Sequence, residues 1–111
     1  MSLAVRCLAE PLRSLAFGSI SGTYAAIGTA LAHPAHMILF QNQTNATVTI
    51  SMDGINDHFT LLANGYFVLD ISGNKAASSY GFYISKGTIF YVKGTVGSGN
   101  VQVSVFYGDE S

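Results

Sequence analysis

From about residue 36 onward, apolar and polar side chains alternate with a period of two, and no other feature restricts the fold of this chain as much. In Ala46-Thr47-Val48-Thr49-Ile50-Ser51-Met52, the apolar Val48, Ile50 and Met52 fall on one side of an extended backbone and Thr47, Thr49 and Ser51 on the other. Successive side chains of a strand point to opposite faces, so the pattern predicts a half-buried strand. Val101, Val103, Val105 and Tyr107 repeat it against Gln102, Ser104 and Phe106. Further strands are predicted over residues 37–41, 58–62, 66–71, 80–85 and 88–93, all rich in β-branched or aromatic residues. Weaker ones over 13–20 and 23–30 flank Ser21-Gly22, which makes eight or nine short strands.

Between these segments stand Gln43-Thr44-Asn45, Asp53-Gly54, Ala63-Asn64-Gly65, Ser72-Gly73-Asn74, Lys86-Gly87 and Gly97-Ser98-Gly99-Asn100. Each supplies residue types that tolerate positive φ, so the chain reverses without strain, and successive antiparallel pairing is expected. The expectation is an all-β, single-domain antiparallel β-sandwich with jelly-roll connectivity, an immunoglobulin-like order being the alternative. At 111 residues the chain fits one domain that buries roughly two thirds of its unfolded surface. Residues 1–12 read as an N-terminal arm and 13–111 as the sandwich. In the arm Leu3, Val5, Leu8 and Leu12 are apolar, yet Pro11 and the interspersed charges prevent a long helix or a clean strand. A frayed end, a first strand closing the sandwich, and an extension lying on a neighbouring subunit all fit.

Hydrophobic residues make up 49% of the chain and charged ones only 10%, against about 25% charged in an average soluble domain. Ser, Thr, Asn, Gln and Gly must therefore face the solvent, with part of the apolar surplus covered by other subunits. A net charge of -1 with five scattered basic residues does not suit nucleic acid, which calls for clustered Lys and Arg. No apolar run approaches the roughly 18 residues that span a bilayer, so no membrane association is expected. Arg6, Glu10 and Arg13 interrupt the apolar core a signal peptide requires. Cys7 is the single cysteine, which excludes an internal disulfide and Cys-rich zinc motifs.

The stretch that most resembles a reactive site is Ser51-Met52-Asp53-Gly54-Ile55-Asn56-Asp57-His58, with two carboxylates beside a histidine. Met52 ends one alternating strand and Phe59 begins the next, so residues 53–57 are expected to turn the chain, with Asp and Asn bonding to nearby N–H groups. The spacing fits no calcium loop and lacks its bidentate glutamate. His33 and His36, three apart before a strand, point to opposite faces and are unsuited to chelating one ion. Cys7 beside Arg6 lacks a placed base. Gly94-Thr95-Val96-Gly97-Ser98-Gly99 precedes a strand rather than a helix, and reads as a hairpin loop instead of a phosphate cradle. No catalytic residue, cofactor, metal or small-molecule substrate is expected. In Tyr66-Phe67, Phe82-Tyr83, Phe90-Tyr91 and Phe106-Tyr107 one ring is expected to enter the core while its neighbour faces outward.

Residues 51–58, Leu69-Asp70-Ile71-Ser72-Gly73-Asn74-Lys75, and Lys86-Gly87-Thr88-Ile89-Phe90-Tyr91-Val92-Lys93-Gly94 with residues 101–108 resemble small structural proteins of tailed-phage virions. In length and β-rich pattern the chain is similar to the capsid decoration, or staple, proteins of epsilon15-like phages. The resemblance implies a dimeric β-sandwich on the capsid exterior that clamps adjacent major capsid protein subunits. Head-completion or tail proteins and a carbohydrate-binding module are the alternatives. For the clamp, Leu3, Val5 and Leu8, whose apolarity falls outside the sandwich pattern, and with them nearby Arg6, are the predicted partner-binding residues.

Overall fold

The computed structural model describes residues 5–70 and 84–110. The predicted turn at residues 72–74, the first four residues of the predicted strand 80–85, and Leu3 lie outside them. Nine strands follow one another: β1 (Val5–Ala9), β2 (Arg13–Ala16), β3 (Ala25–Ala26), β4 (Met37–Thr44), β5 (Val48–Ser51), β6 (Phe59–Leu61), β7 (Tyr66–Asp70), β8 (Tyr91–Gly94) and β9 (Gly99–Glu110). They form two antiparallel sheets. The first runs β1-β9-β4-β7 with β2 also on β9, and the second runs β3-β8-β5-β6.

Read outward from β9, the chain winds β2, β9, β4, β7 in one sheet and β3, β8, β5, β6 in the other, which is the jelly-roll order and not the immunoglobulin-like one. Among the described strands only β5 and β6 are consecutive in sequence and paired, so the expectation of successive pairing is corrected: β1 and β2 follow one another along β9, and the remaining connections cross from sheet to sheet. The loop 94–99 is accordingly an arch between β8 and β9, not a hairpin. Turn chemistry signals reversal, and it serves an arch as well as a hairpin. Gly54, Gly87 and Gly99 do adopt positive φ, as does Asn64 at 59°.

The alternation decides which side chains meet between the sheets. Ile38 and Phe40 of β4 and Val101, Val103 and Val105 of β9 face Val48, Ile50, Leu61 and Val92 across the sandwich, all at most 4% exposed. Phe40 lies at the centre, edge-on to Phe59 at 5.0 Å and to Phe90 at 5.2 Å. Burying a side chain of this size contributes about 1.5–3 kcal/mol. Residues 23–30 were expected to form a strand, but only Ala25–Ala26 pair; Gly28 takes φ 73°, and Ile27 and Leu31 drop into the core as loop residues.

Part of the N-terminal segment is a strand of the first sheet: β1 pairs with the far end of β9, from Val5 opposite Glu110 to Ala9 opposite Phe106. β2 then pairs with the near end, from Arg13 opposite Val103. Three residues, Glu10, Pro11 and Leu12, thus stand opposite two, Ser104 and Val105, which makes a β-bulge. Pro11 has no N–H to donate and sits where the sheet edge tolerates that loss. The extra residue keeps Leu8, Glu10, Arg13 and Leu15 on one side of the sheet, the inner side, and turns Leu12 out to 58% exposure.

Candidate functional site

The loop between β5 and β6 is a turn built from its own polar groups. Ser51 Oγ accepts the N–H groups of Asp53 and Gly54 and donates to Asp53 Oδ1 at 2.9 Å. The same Oδ1 accepts Ile55 N–H at 2.8 Å and Asn56 N–H at 2.9 Å. These bonds from Asn56 and Ile55 hold the Asp53 carboxyl well below the usual carboxylate range. Asp57 turns away from Asp53: it accepts the Tyr24 hydroxyl and lies 3.0 Å from Lys93 Nζ, and these two partners, Tyr24 first, lower its pKa. The Tyr24 phenol is raised to about 12, by desolvation and then by Asp57. Lys93 also lies 4.6 Å above the Tyr24 ring, so the cluster stitches this loop to the segment before β3. His58 Nδ1 accepts Met52 N–H at 2.9 Å, which commits that nitrogen to the loop backbone. Asp53 and His58 are thus engaged in bending the chain and Asp57 in tethering it, and among the described residues no three His, Cys, Asp or Glu side chains converge as metal ligands.

A second polar cluster lies at the bulge, where the sequence raised no expectation. Glu10, with 2% of its side chain exposed, pairs with Arg13 Nη2 at 2.7 Å. Its Oε2 also accepts the N–H groups of Ala32 at 3.1 Å and His33 at 2.8 Å, and His33 Nδ1 at 2.9 Å. A carboxylate only accepts, so the ring proton is on Nδ1. Burial raises the Glu10 pKa, but hydrogen bonds from His33, Arg13 and Ala32 outweigh it and the net shift is downward. Arg13 donates in turn to the carbonyls of Thr29 at 2.8 Å and Ala30 at 3.0 Å. The His33 ring lies flat on Tyr107, with centroids 3.7 Å apart and planes 5° apart. Glu10 belongs to the segment read as an arm and Arg13 opens the weakly predicted strand 13–20, and their partners in the loop lie about twenty residues on. The one local signal was a carboxylate and a guanidinium on either side of Pro11, the composition of a bulge.

Asn42 is a third buried polar residue, 1% exposed. Its Nδ2 donates to the carbonyls of Ala46, Leu61 and Leu62, and its Oδ1 accepts Thr44 N–H at 3.0 Å. It pins the β4–β5 arch to β6.

A surface feature of a different kind is the outer side of the first sheet. Because Ile38 and Phe40 of β4 and the valines of β9 point inward, their neighbours Met37, Leu39, Gln41, Gln102, Ser104 and Phe106 point outward. The pairing brings them into rows: Phe106 beside Met37, Ser104 beside Leu39 beside Val68, and Gln102 beside Gln41 beside Tyr66. Tyr66 is 71% and Val68 45% exposed; Phe67 lies against Phe59 at 5.2 Å but is itself 41% exposed at the sheet edge, so neither ring of this pair enters the core as expected. Phe106 and Tyr107 divide, with the phenylalanine outward and the tyrosine on His33. The apolar centre is flanked by amides and hydroxyls, and the row of Phe106 and Met37 ends at a carboxylate, Asp70 of β7.

Of the predicted partner-binding residues, Val5, Arg6 and Leu8 lie in β1, and Leu8 stands opposite Tyr107 on the inner side, half-buried. Cys7 is exposed and free. No described helix is long and apolar enough to cross a membrane. A scan against protein-family models, a search of curated proteins and a search of solved structures each returned no match.

Proposed function

We propose that this chain is a non-enzymatic virion structural protein, a jelly roll that settles on the capsid exterior and clamps adjacent major capsid protein subunits. The observation that carries the reading is the outer side of the β9-β4-β7 rows. An apolar centre of Met37, Leu39, Val68 and Phe106, ringed by Gln41, Gln102, Ser104 and Tyr66, has the layout of a protein interface: depleted of charge inside, polar at the rim. The resemblance to phage decoration proteins supplies the partner. Leu3, Val5 and Arg6 remain proposed partner-binding residues of the N-terminal segment, while Leu8, on the inner side, helps to seat the ribbon. A clamp of this kind works by adding buried apolar area, about 25 cal/mol per Å², at many symmetry-related joints.

Purified chain added to capsids that lack it tests the reading. Saturable co-sedimentation at a fixed number of copies per capsid is the expected outcome, and chain left in the supernatant at every concentration rejects it. Light scattering of the free chain tests the dimer that the resemblance implies, since a monomer at all concentrations removes it. One observation favours a second reading, a carbohydrate-binding module: the exposed Tyr66 ring stands in one row with the Gln41 and Gln102 amides, a stacking plane beside paired donors and acceptors. Glycan-array binding lost in Tyr66→Ala, without affinity for capsids, would favour it.

A further inference from the structure

We propose that Glu10 is a charged pin that locks the ribbon of β1 and the far end of β9 onto the sandwich, so that ribbon and sandwich separate as units when the carboxylate charge is removed. The proposal depends on the docking reading only for the use of the lock, because the lock itself is a property of the free chain.

β4 accompanies β9 only as far as Met37 opposite Phe106; beyond that, among the described residues, β9 has β1 alone beside it. A two-stranded ribbon is marginal in water unless something else holds it. The bulge at Glu10, Pro11 and Leu12 forms its base, where the edge strand bends most easily. Across that base run few ties. Glu10 N–H bonds to Val105 C=O at 3.0 Å and His36 N–H to Phe106 C=O at 3.0 Å. The Glu10 carboxylate, at the end of β1, grips the Ala32 and His33 amides and the His33 ring. That ring carries Tyr107, on the other strand of the ribbon, flat against its face. One carboxylate therefore fixes both strands, β1 directly and β9 through the imidazole.

The charged and titratable groups facing Glu10 among the described residues are Arg13 from β2, His33 from the loop before β4 and, through His33, Tyr107 from β9. Arg13 holds the carbonyls of Thr29 and Ala30 independently of Glu10. When Glu10 loses its charge, the loop consequently stays with β2 and the ribbon is what comes free.

Amide hydrogen exchange separates this from a general loss of stability. The bond from Glu10 N–H to Val105 C=O sets the alternation, so the Leu8 and Arg6 amides face β9 as well. In Glu10→Gln these amides are expected to lose protection by about tenfold or more, while those of β5 and β8 change by less than about threefold. Unchanged β1 protection overturns the proposal, and so does an equal loss across β1, β5 and β8. Should Glu10→Gln fail to fold, His33→Phe keeps a flat ring on Tyr107 but deletes the Nδ1 bond. It must show the same selective loss at smaller size, and uniform or absent loss there overturns the proposal equally.

Discussion

Asn42, Glu10 and Arg13 each bind two backbone groups from a distant part of the chain with one side chain. Asn42→Ala leaves the carbonyls of Leu61 and Leu62 and the Thr44 hydroxyl without that partner in a buried arch, and is expected to cost about 2–4 kcal/mol in urea unfolding. The pH dependence follows from Glu10. Its folded pKa lies below the ordinary value of 4.5, so the unfolded chain binds the proton first as acid is added. The stabilisation is complete above the ordinary carboxylate range and is lost as pH falls through the lowered folded value. Glu10→Gln should flatten the acid limb of the stability curve, and an unchanged limb would show that Glu10 contributes nothing to it. At this scale the sequence was legible where partners are local. Asp53 bonds within three residues, and Asp-Gly after an alternating run announced it. Glu10 and His33 are 23 apart, and only the folded loop brings them together.

Strands were legible where alternation is long, and less so at their ends. β4, β5, β6 and β7 appear within a few residues of their expected positions, because apolar side chains on one face commit those segments to one register. β9 runs from Gly99 to Glu110, beyond the expected segment at both ends, since pairing with β4 and β2 extends it at the near end and pairing with β1 at the far end. Residues 88–90 remain outside β8 even though Phe90 is fully buried: burial there comes from Ile27 N–H on Phe90 C=O and from core packing, not from a ladder. The crossing of the chain between sheets was written nowhere in local turn chemistry. Gly99 marks one such crossing. It adopts φ 86°, and a Cβ there would fall 1.9 Å from Gln43 C=O. Gly99→Ala combines left-handed strain with a backbone clash and is expected to lower the melting temperature by several degrees, on the order of 2 kcal/mol. Gly18→Ala, which meets nothing within 4 Å, is the matched control.

Over the whole molecule, scarce charge has two consequences. Four of the described charges form tethers, Glu10 with Arg13 and Asp57 with Lys93, and the broad side of one sheet carries mostly amides, hydroxyls and apolar groups, with Asp70 at its β7 edge. A monomer that left such a side bare would offer a sticking surface, and β7 at the sheet edge has neither Lys nor Pro to deter pairing. Both features suit a chain whose working state is bound to something else. The low charge and the apolar surplus were legible in composition; which strands would share the surface was not, because the rows join residues from β4, β7 and β9 that are up to 69 positions apart, as Met37 and Phe106 are. The most direct test is a comparison of binding to stripped capsids by folded Val68→Glu and Ile55→Glu, the latter 80% exposed on the β5–β6 loop away from these rows. We predict that Val68→Glu weakens binding by at least about tenfold while Ile55→Glu binds as the wild type does; full binding by Val68→Glu, or equal loss in both, would contradict the account.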